Sequence, residues 1–217
     1  RPGVDGVLAT ADILEDLLLL GVLEDKVAVG SMNRGGLAGA AFEMDDRFTG
    51  HRAEDLTRLR FDAGKLLLRI DYDDPGSLAT LHAAARTVDE MAARRLPVFV
   101  EPFLSRRLGG KVRNDLSAEA VTKSVAIASG LGGTSAYTWL KLPVTADPAG
   151  MDGVLSASTL PVVLLGGEVG TDQDDTYERW RTALSHPAVH GLVAGRTLLY
   201  PASGSVEEAV DTAVSLL

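Results

Sequence analysis

Residues 65–103 read KLLLRIDYDDPGSLATLHAAARTVDEMAARRLPVFVEPF. Residues 65–71 form an apolar run that predicts a strand, and the DYDDPG that follows reads as a turn. Residues 77–95 carry Leu78, Leu81, Ala85, Val88, Met91 and Ala92 at spacings of three and four, which predicts an amphipathic helix. Residues 97–103 return to strand. This strand–helix–strand reading is the signature of a βα unit in a parallel sheet.

The alternation recurs on both sides. Residues 4–11, 26–32, 136–144, 161–169 and 191–199 predict further strands. Residues 12–20, 53–61, 118–129, 148–158, 177–184 and 206–217 predict helices, the first ended by Gly21. The Gly-rich stretch 33–50, NRGGLAGAAFEMDDRFTG, is longer than a simple connection needs and is therefore expected to be functional. Arg106, Arg107, Lys111 and Arg113 fall in what reads as one mobile loop. Seven βα units without a linker predict a single α/β domain over residues 1–217, a (β/α)8 TIM barrel lacking one unit. Because the chain opens on RPGVDG with no helix before it, a further N-terminal strand and helix are expected in the natural protein. The alternative is an open doubly wound sheet, but no GxGxxG follows the first strand.

Composition narrows the function. The chain has 217 residues, 46% of them hydrophobic, and a formal net charge of −9. That charge argues against nucleic acid and against an anionic membrane surface as partners. No apolar run approaches the ~18 residues of a membrane helix, and no signal peptide opens the chain. The absence of cysteine removes disulfides and thiolate metal sites, which fits a cytoplasmic protein.

In a barrel the active site lies at the C-terminal ends of the strands. Those positions are Asp12; Ser31 to Arg34; Arg69, Asp71 and Asp73; Glu101; Lys141; Gly166 and Gly167; Gly195 and Arg196. Strand side chains alternate, so Lys65, Leu67, Arg69 and Asp71 share a face, as do Pro97, Phe99 and Glu101, and Tyr137, Trp139 and Lys141. If those faces point inward, two lysines, an arginine and a glutamate meet inside the barrel. Lys141 sits in an otherwise apolar run, AYTWLKLPV (136–144). One reading is a lysine paired with a buried carboxylate. The other is a desolvated amine able to form a Schiff base, its pKa lowered by burial and by Lys65 or Arg69, with Glu101 moving protons. LLGGE and VAGRT each place a glycine at a late strand end, where barrels commonly bind phosphate, and Arg196 adds a charge.

Other chemistries have weaker signals. His51, His82, His186 and His190 fall on helices or loops by this reading, and no cluster has zinc-like spacing. Glu43, Asp45 and Asp46, and likewise Asp71, Asp73 and Asp74, read as solvated turns rather than Mg²⁺ ligands. No metal or cofactor is expected.

The order KLLLRIDYD, LPVFVEPF, YTWLKLPV, VVLLGGEV, GLVAGR over residues 64–200 resembles the class I (Schiff-base) aldolases of the DhnA-type and LacD-like (tagatose 1,6-bisphosphate aldolase-like) barrels. The segments DGVLATADILEDLLLLG and GSMNRGGLAGAAFEMDDRFTG resemble a bacterial aldolase-like subgroup. The resemblance implies that Lys141 forms the Schiff base, that Glu101 acts in proton transfer and that Lys65 is the lysine opening the family's KFLLYYD-type strand. It implies a phosphate site at Gly166, Gly167, Gly195 and Arg196, while the strand-end positions Arg69, Asp71, Arg34 and Ser31 are further substrate-binding candidates. It also implies a homo-oligomer and a phosphorylated ketose or deoxy-sugar as substrate, cleaved by a cytoplasmic lyase. A related Schiff-base transferase and a non-catalytic sugar-phosphate-binding barrel are the alternatives. The residues around GGLAGAAF depart from the bisphosphate aldolases, so the sugar does not carry over.

Overall fold

A computed structural model describes residues 1–33, 40, 42–145, 147–167 and 173–217. Seven parallel strands follow one another around the sheet: β1 (Gly6–Ala9), β2 (Val27–Ser31), β3 (Ala63–Ile70), β4 (Val98–Leu108), β6 (Thr138–Leu142), β7 (Val162–Leu165) and β8 (Val189–Val193). Each pairs with the next, which is the strand order of a TIM barrel. The eighth strand of the sheet, β5 (Lys111–Asn114), runs antiparallel to the outer end of β4. The α/β barrel expectation therefore holds.

Helices α1 (Ala11–Leu19), α2 (Ala53–Leu59), α3 (Gly76–Ala93), α4 (Ala118–Ser129), α5 (Pro148–Ser156), α6 (Gln173–Leu184), α7 (Arg196–Leu199) and α8 (Val206–Val214) separate or follow the strands. Their starts are set locally. Ser117 accepts from the Ala120 N–H, Asp147 accepts from Ala149 and Gly150 ahead of Pro148, and Ser205 with Glu208 makes a capping box. None of the described helices is long and apolar enough to cross a membrane.

The strands separate two environments. Leu66, Leu68, Ile70, Val98, Val100, Leu140, Leu142, Val162 and Leu164 belong to one buried cluster with Leu56, Val88, Met91, Val121, Val125 and Val154 of the helices. The alternate residues, including Lys65, Leu67, Arg69, Phe99, Glu101 and Lys141, face the other way, into the barrel.

Several boundaries and surfaces differ from the sequence reading. The Arg-rich stretch is a β-hairpin, not a mobile loop: Arg106 pairs with Arg113 and Leu108 with Lys111. On α3 the buried positions are Ser77, Ala84, Thr87, Val88 and Met91, while Leu78 is exposed, because the helix is rotated from its most apolar stripe toward its small residues. β8 starts two residues earlier than expected and stops before Arg196, which opens α7. The acidic run 43–46 is not a solvated turn, since Glu43 and Asp46 are buried.

Candidate active site

β4 and β6 lie side by side, with Phe99 the register partner of Trp139. One pleat further toward the C-terminal ends stand Glu101 and Lys141. On the other side of β4, Leu67 is the partner of Glu101 and Lys65 the partner of Phe99. The three charged side chains converge from these adjacent strands. Lys141 Nζ donates to Glu101 Oε1 at 2.8 Å, and Lys65 Nζ pairs with Glu101 Oε2. Each is only about one-tenth exposed, with side-chain accessibilities of 12% for Lys65, 12% for Glu101 and 10% for Lys141.

Two ammonium groups thus share one carboxylate in a place with little water. Burial pushes the Lys141 amine below the ordinary lysine range, and the positive charges of Lys65 and Arg196 push the same way, while Glu101 opposes them. Burial alone would raise the Glu101 carboxyl, but the two lysines outweigh it and hold the group below the usual carboxylate range. The carboxylate is therefore ionised at neutral pH beside an amine predisposed to lose its proton.

Beneath this trio lies an aromatic floor. Phe99 and Trp139 meet edge-on with centroids 5.7 Å apart, and Trp139 meets His190 at 5.4 Å. Phe99 and Trp139 stand one inward position before Glu101 and Lys141 on their strands. The sequence puts Trp139 on the face of Lys141, whereas His190 lies just before a strand read from Gly191 and falls inside the observed Val189–Val193. The alternation AVHGLV, extended two residues back, is the signal that would have found it.

Arg69 faces the barrel as expected but is committed elsewhere. Its Nε donates to Asp46 Oδ1 at 3.0 Å and its Nη2 to the same oxygen at 2.6 Å, while its backbone N–H donates to Asp46 Oδ2 at 3.0 Å. Nη2 also donates to the Glu43 carbonyl. Beside this clamp, Asn33 Nδ2 donates to the carbonyls of Asp46 and Leu67, and Asn33 Oδ1 accepts from the Leu67 N–H at 2.6 Å. Asn33 and Asp46 thereby supply β3 with the hydrogen bonds that β2, which ends at Ser31, no longer offers. Neither residue was singled out for this role, and their sequence spacing carries no sign of it.

The remaining candidates are dispersed around the mouth. Ser31 ends β2, is the register partner of Lys65 and donates its hydroxyl to the Asn33 carbonyl at 3.0 Å. Asp71 accepts from the Asp73 N–H, and its backbone is bracketed by the Ser77 hydroxyl, so it shapes the turn into α3. Gly166 and Gly167 follow β7, and Gly195 and Arg196 follow β8. The two ends are tied together by Thr197 Oγ1, which donates to the Gly166 carbonyl at 2.8 Å. Gly166 has no room for a side chain, since a Cβ would lie 2.8 Å from that of Ala194, and Gly167 has φ +72°. Arg34 lies outside the described residues. Among the described residues no group of three or more His, Asp and Glu is placed to share a metal ion.

A family model described as Cgl0159-like matches residues 1–214. The chain belongs to the Cgl0159-like family. The crystal structure of Cgl0159 from Corynebacterium glutamicum (Brevibacterium flavum) is similar to this Cgl0159-like chain at 54% identity and TM-score 0.95, over 100% of this chain and 72% of its own. A Schiff base-forming fructose-1,6-bisphosphate aldolase matches at TM-score 0.73 and 20% identity, over 97% of this chain and 76% of its own. An archaeal fructose-1,6-bisphosphate aldolase, whose catalytic lysine is covalently bound to the carbinolamine intermediate of its substrate, matches at TM-score 0.72 and 19% identity, over 97% and 78%. At such identities the likeness to the aldolases is one of fold. No curated protein matches the Cgl0159-like chain.

Proposed function

We propose that this Cgl0159-like protein is a class I aldolase that cleaves or forms a C–C bond in a phosphorylated ketose or deoxy-sugar through a Schiff base on Lys141. The observation that carries the reading is the Lys65–Glu101–Lys141 trio, in which a buried amine is driven toward its neutral form beside an ionised carboxylate. The resemblance of the LK and VEP strands to Schiff-base aldolases supports the same roles.

The chemistry follows from the geometry. Neutral Lys141 Nζ attacks the substrate carbonyl, and the carbinolamine loses water to give an iminium ion. Glu101, directly or through a water, removes the proton from the hydroxyl on the β carbon, the carbon of the breaking bond farther from the iminium. That oxygen becomes the carbonyl of the departing aldehyde, and the bonding pair passes into the iminium to leave an enamine. Protonation of the enamine and hydrolysis release the ketone and regenerate the amine. Lys65 keeps Glu101 anchored and adds the positive charge that disfavours protonated Lys141. The paired turns at Gly166–Gly167 and Gly195–Arg196 would take the phosphate, with Ser31 at the end of β2 across the mouth.

Borohydride trapping tests the proposal. The protein is incubated with a panel of ketose and deoxy-sugar phosphates, dihydroxyacetone phosphate among them, then reduced and peptide-mapped. A mass increase on the Lys141 peptide is the expected result. An adduct on Lys65 would reverse the roles of the two lysines. The same ion pairing that supports the aldolase also suits a barrel that only binds sugar phosphates. Ligand-induced stabilisation without any adduct would favour that reading and refute ours.

A further inference from the structure

Among the described residues, the Asp46–Arg69 pair is the one buried ion pair that the reaction above does not use. Asp46 has no side-chain exposure and Arg69 only 9%. Its position is what gives it meaning. Lys65, Leu67 and Arg69 share the inward face of β3, and Leu67 is the register partner of Glu101. Arg69 is therefore the diagonal neighbour of Glu101 across the β3–β4 ladder, within reach of a long side chain. A guanidinium prefers a bidentate carboxylate, and Glu101 is such a carboxylate. Yet Arg69 is turned away from it by four donor contacts to Asp46 and one to the Glu43 carbonyl.

We infer that Asp46 is a positioning residue of the candidate site, a decoy carboxylate that clamps Arg69 and so leaves Glu101 to the two lysines. The inference rests on the aldolase reading for its purpose, but not for its test. With the clamp in place, Arg69 and Asp46 cancel, and Lys65, Glu101 and Lys141 together carry one surplus positive charge. Asp46→Asn removes one negative charge, frees Arg69 to bind Glu101 and strips Lys141 of its counter-ion. Both effects favour the neutral amine. Arg69→Met does the opposite, removing a positive charge and leaving the Asp46 carboxyl, which burial pushes up, to the electrostatic influence of Lys65.

The test is competitive acetylation of the whole protein by acetic anhydride across pH 6 to 11, with the Lys141 peptide quantified by mass spectrometry. No substrate is required. Asp46→Asn is expected to move the midpoint of Lys141 labelling down by about half to one pH unit, and Arg69→Met to move it up by a similar amount. The double variant Asp46→Asn/Arg69→Met is expected to return it to the wild-type value. Because that double variant replaces a buried pair by neutral groups, it is the variant best able to fold. A purely structural role predicts that all three variants shift alike, or lose labelling selectivity together, and either outcome overturns the inference. So does a double variant displaced as far as Asp46→Asn. A failed borohydride trap with these midpoint shifts intact would remove the aldolase reading while leaving the clamp standing. Successful trapping with no shifts would do the reverse.

Discussion

Replacing Glu101 by Gln removes the one negative charge between two buried ammonium groups and keeps the shape of the side chain. Lys65 and Lys141 contact different oxygens of that carboxylate, which puts their nitrogens about 5 Å apart for ordinary hydrogen-bond lengths. At an effective dielectric of about 20, two unit charges at that separation repel by about 3 kcal/mol. Removing one partner of a buried pair costs about 3–5 kcal/mol in general, in line with this figure. The deficit depends on pH in a way that identifies its cause. In the folded wild type Glu101 is held below its ordinary value. Its stabilisation is therefore fully present above the unfolded carboxyl pKa of about 4.3 and is lost as pH falls through the lower folded value. Below that point wild type and Glu101→Gln both hold a neutral group between two cations, and the gap closes. As pH rises through the depressed Lys141 value that lysine becomes neutral, the repulsion vanishes, and only lost hydrogen bonds of about 1–2 kcal/mol remain. Urea unfolding of both proteins, followed by far-UV circular dichroism from pH 3 to 10, should give a bell-shaped difference that closes on the acid side as Glu101 protonates and on the alkaline side as Lys141 loses its proton. A pH-independent difference, or one that keeps growing toward the alkaline end, would refute the charge-sharing account of the trio.

Lys141 and Lys123 should label with displaced pH profiles in a single digest. Lys141 is pushed down by burial and neighbouring cations, whereas exposed Lys123 is pushed up by its hydrogen bond to Glu119. The ratio of Lys141 to Lys123 acetylation should therefore rise as pH falls from 10 to 7, and parallel profiles would contradict it. Gly166→Ala should lower stability by about 1–3 kcal/mol, the cost of overpacking, because its Cβ would lie 2.8–2.9 Å from Ala194 atoms. Thermal melting reads this directly, and an unchanged midpoint would show that the β7 and β8 ends move apart freely.

The barrel was legible because its evidence is local. Each βα unit carries its own period, and parity along KLLLRID, PVFVEPF and AYTWLKLPV was enough to place Lys65, Glu101 and Lys141 on one side and Leu66, Val100 and Leu140 on the other. What parity cannot show is which of several inward charges finds which partner. Arg69 obeys the alternation and still leaves the trio, because its partner Asp46 comes from a connection 23 residues away with no periodicity. The same limit explains Asn33, whose side chain closes hydrogen bonds to Leu67 34 residues on. The hairpin of β4 and β5 was missed for a different reason. Its paired segments, 105–108 and 111–114, are short, charged and mostly exposed, so the alternation that marks a half-buried strand is absent from them.

The two faces of the strands also explain how such an interior is tolerated. Burying Lys141, Glu101, Lys65, Arg69 and Asp46 in one small space opposes folding, since each ion sheds water that its partners replace only in part. The opposing contribution comes from the other face of the same residues' strands. Leu66, Leu68, Val98, Val100, Leu140 and Leu142 are fully buried against the helices, and each is worth about 1.5–3 kcal/mol relative to exposure. Every strand that carries a charge inward thus carries larger apolar side chains outward, one residue away. A core of that kind offsets the cost of holding charges inside the barrel, which leaves their arrangement free to be set by chemistry. The depressed amine of Lys141 is then a consequence of where the fold is strong rather than a weakness in it. Substitutions on the helix-facing side should lower stability without moving the pH at which Lys141 reacts, whereas those on the inward side should move both.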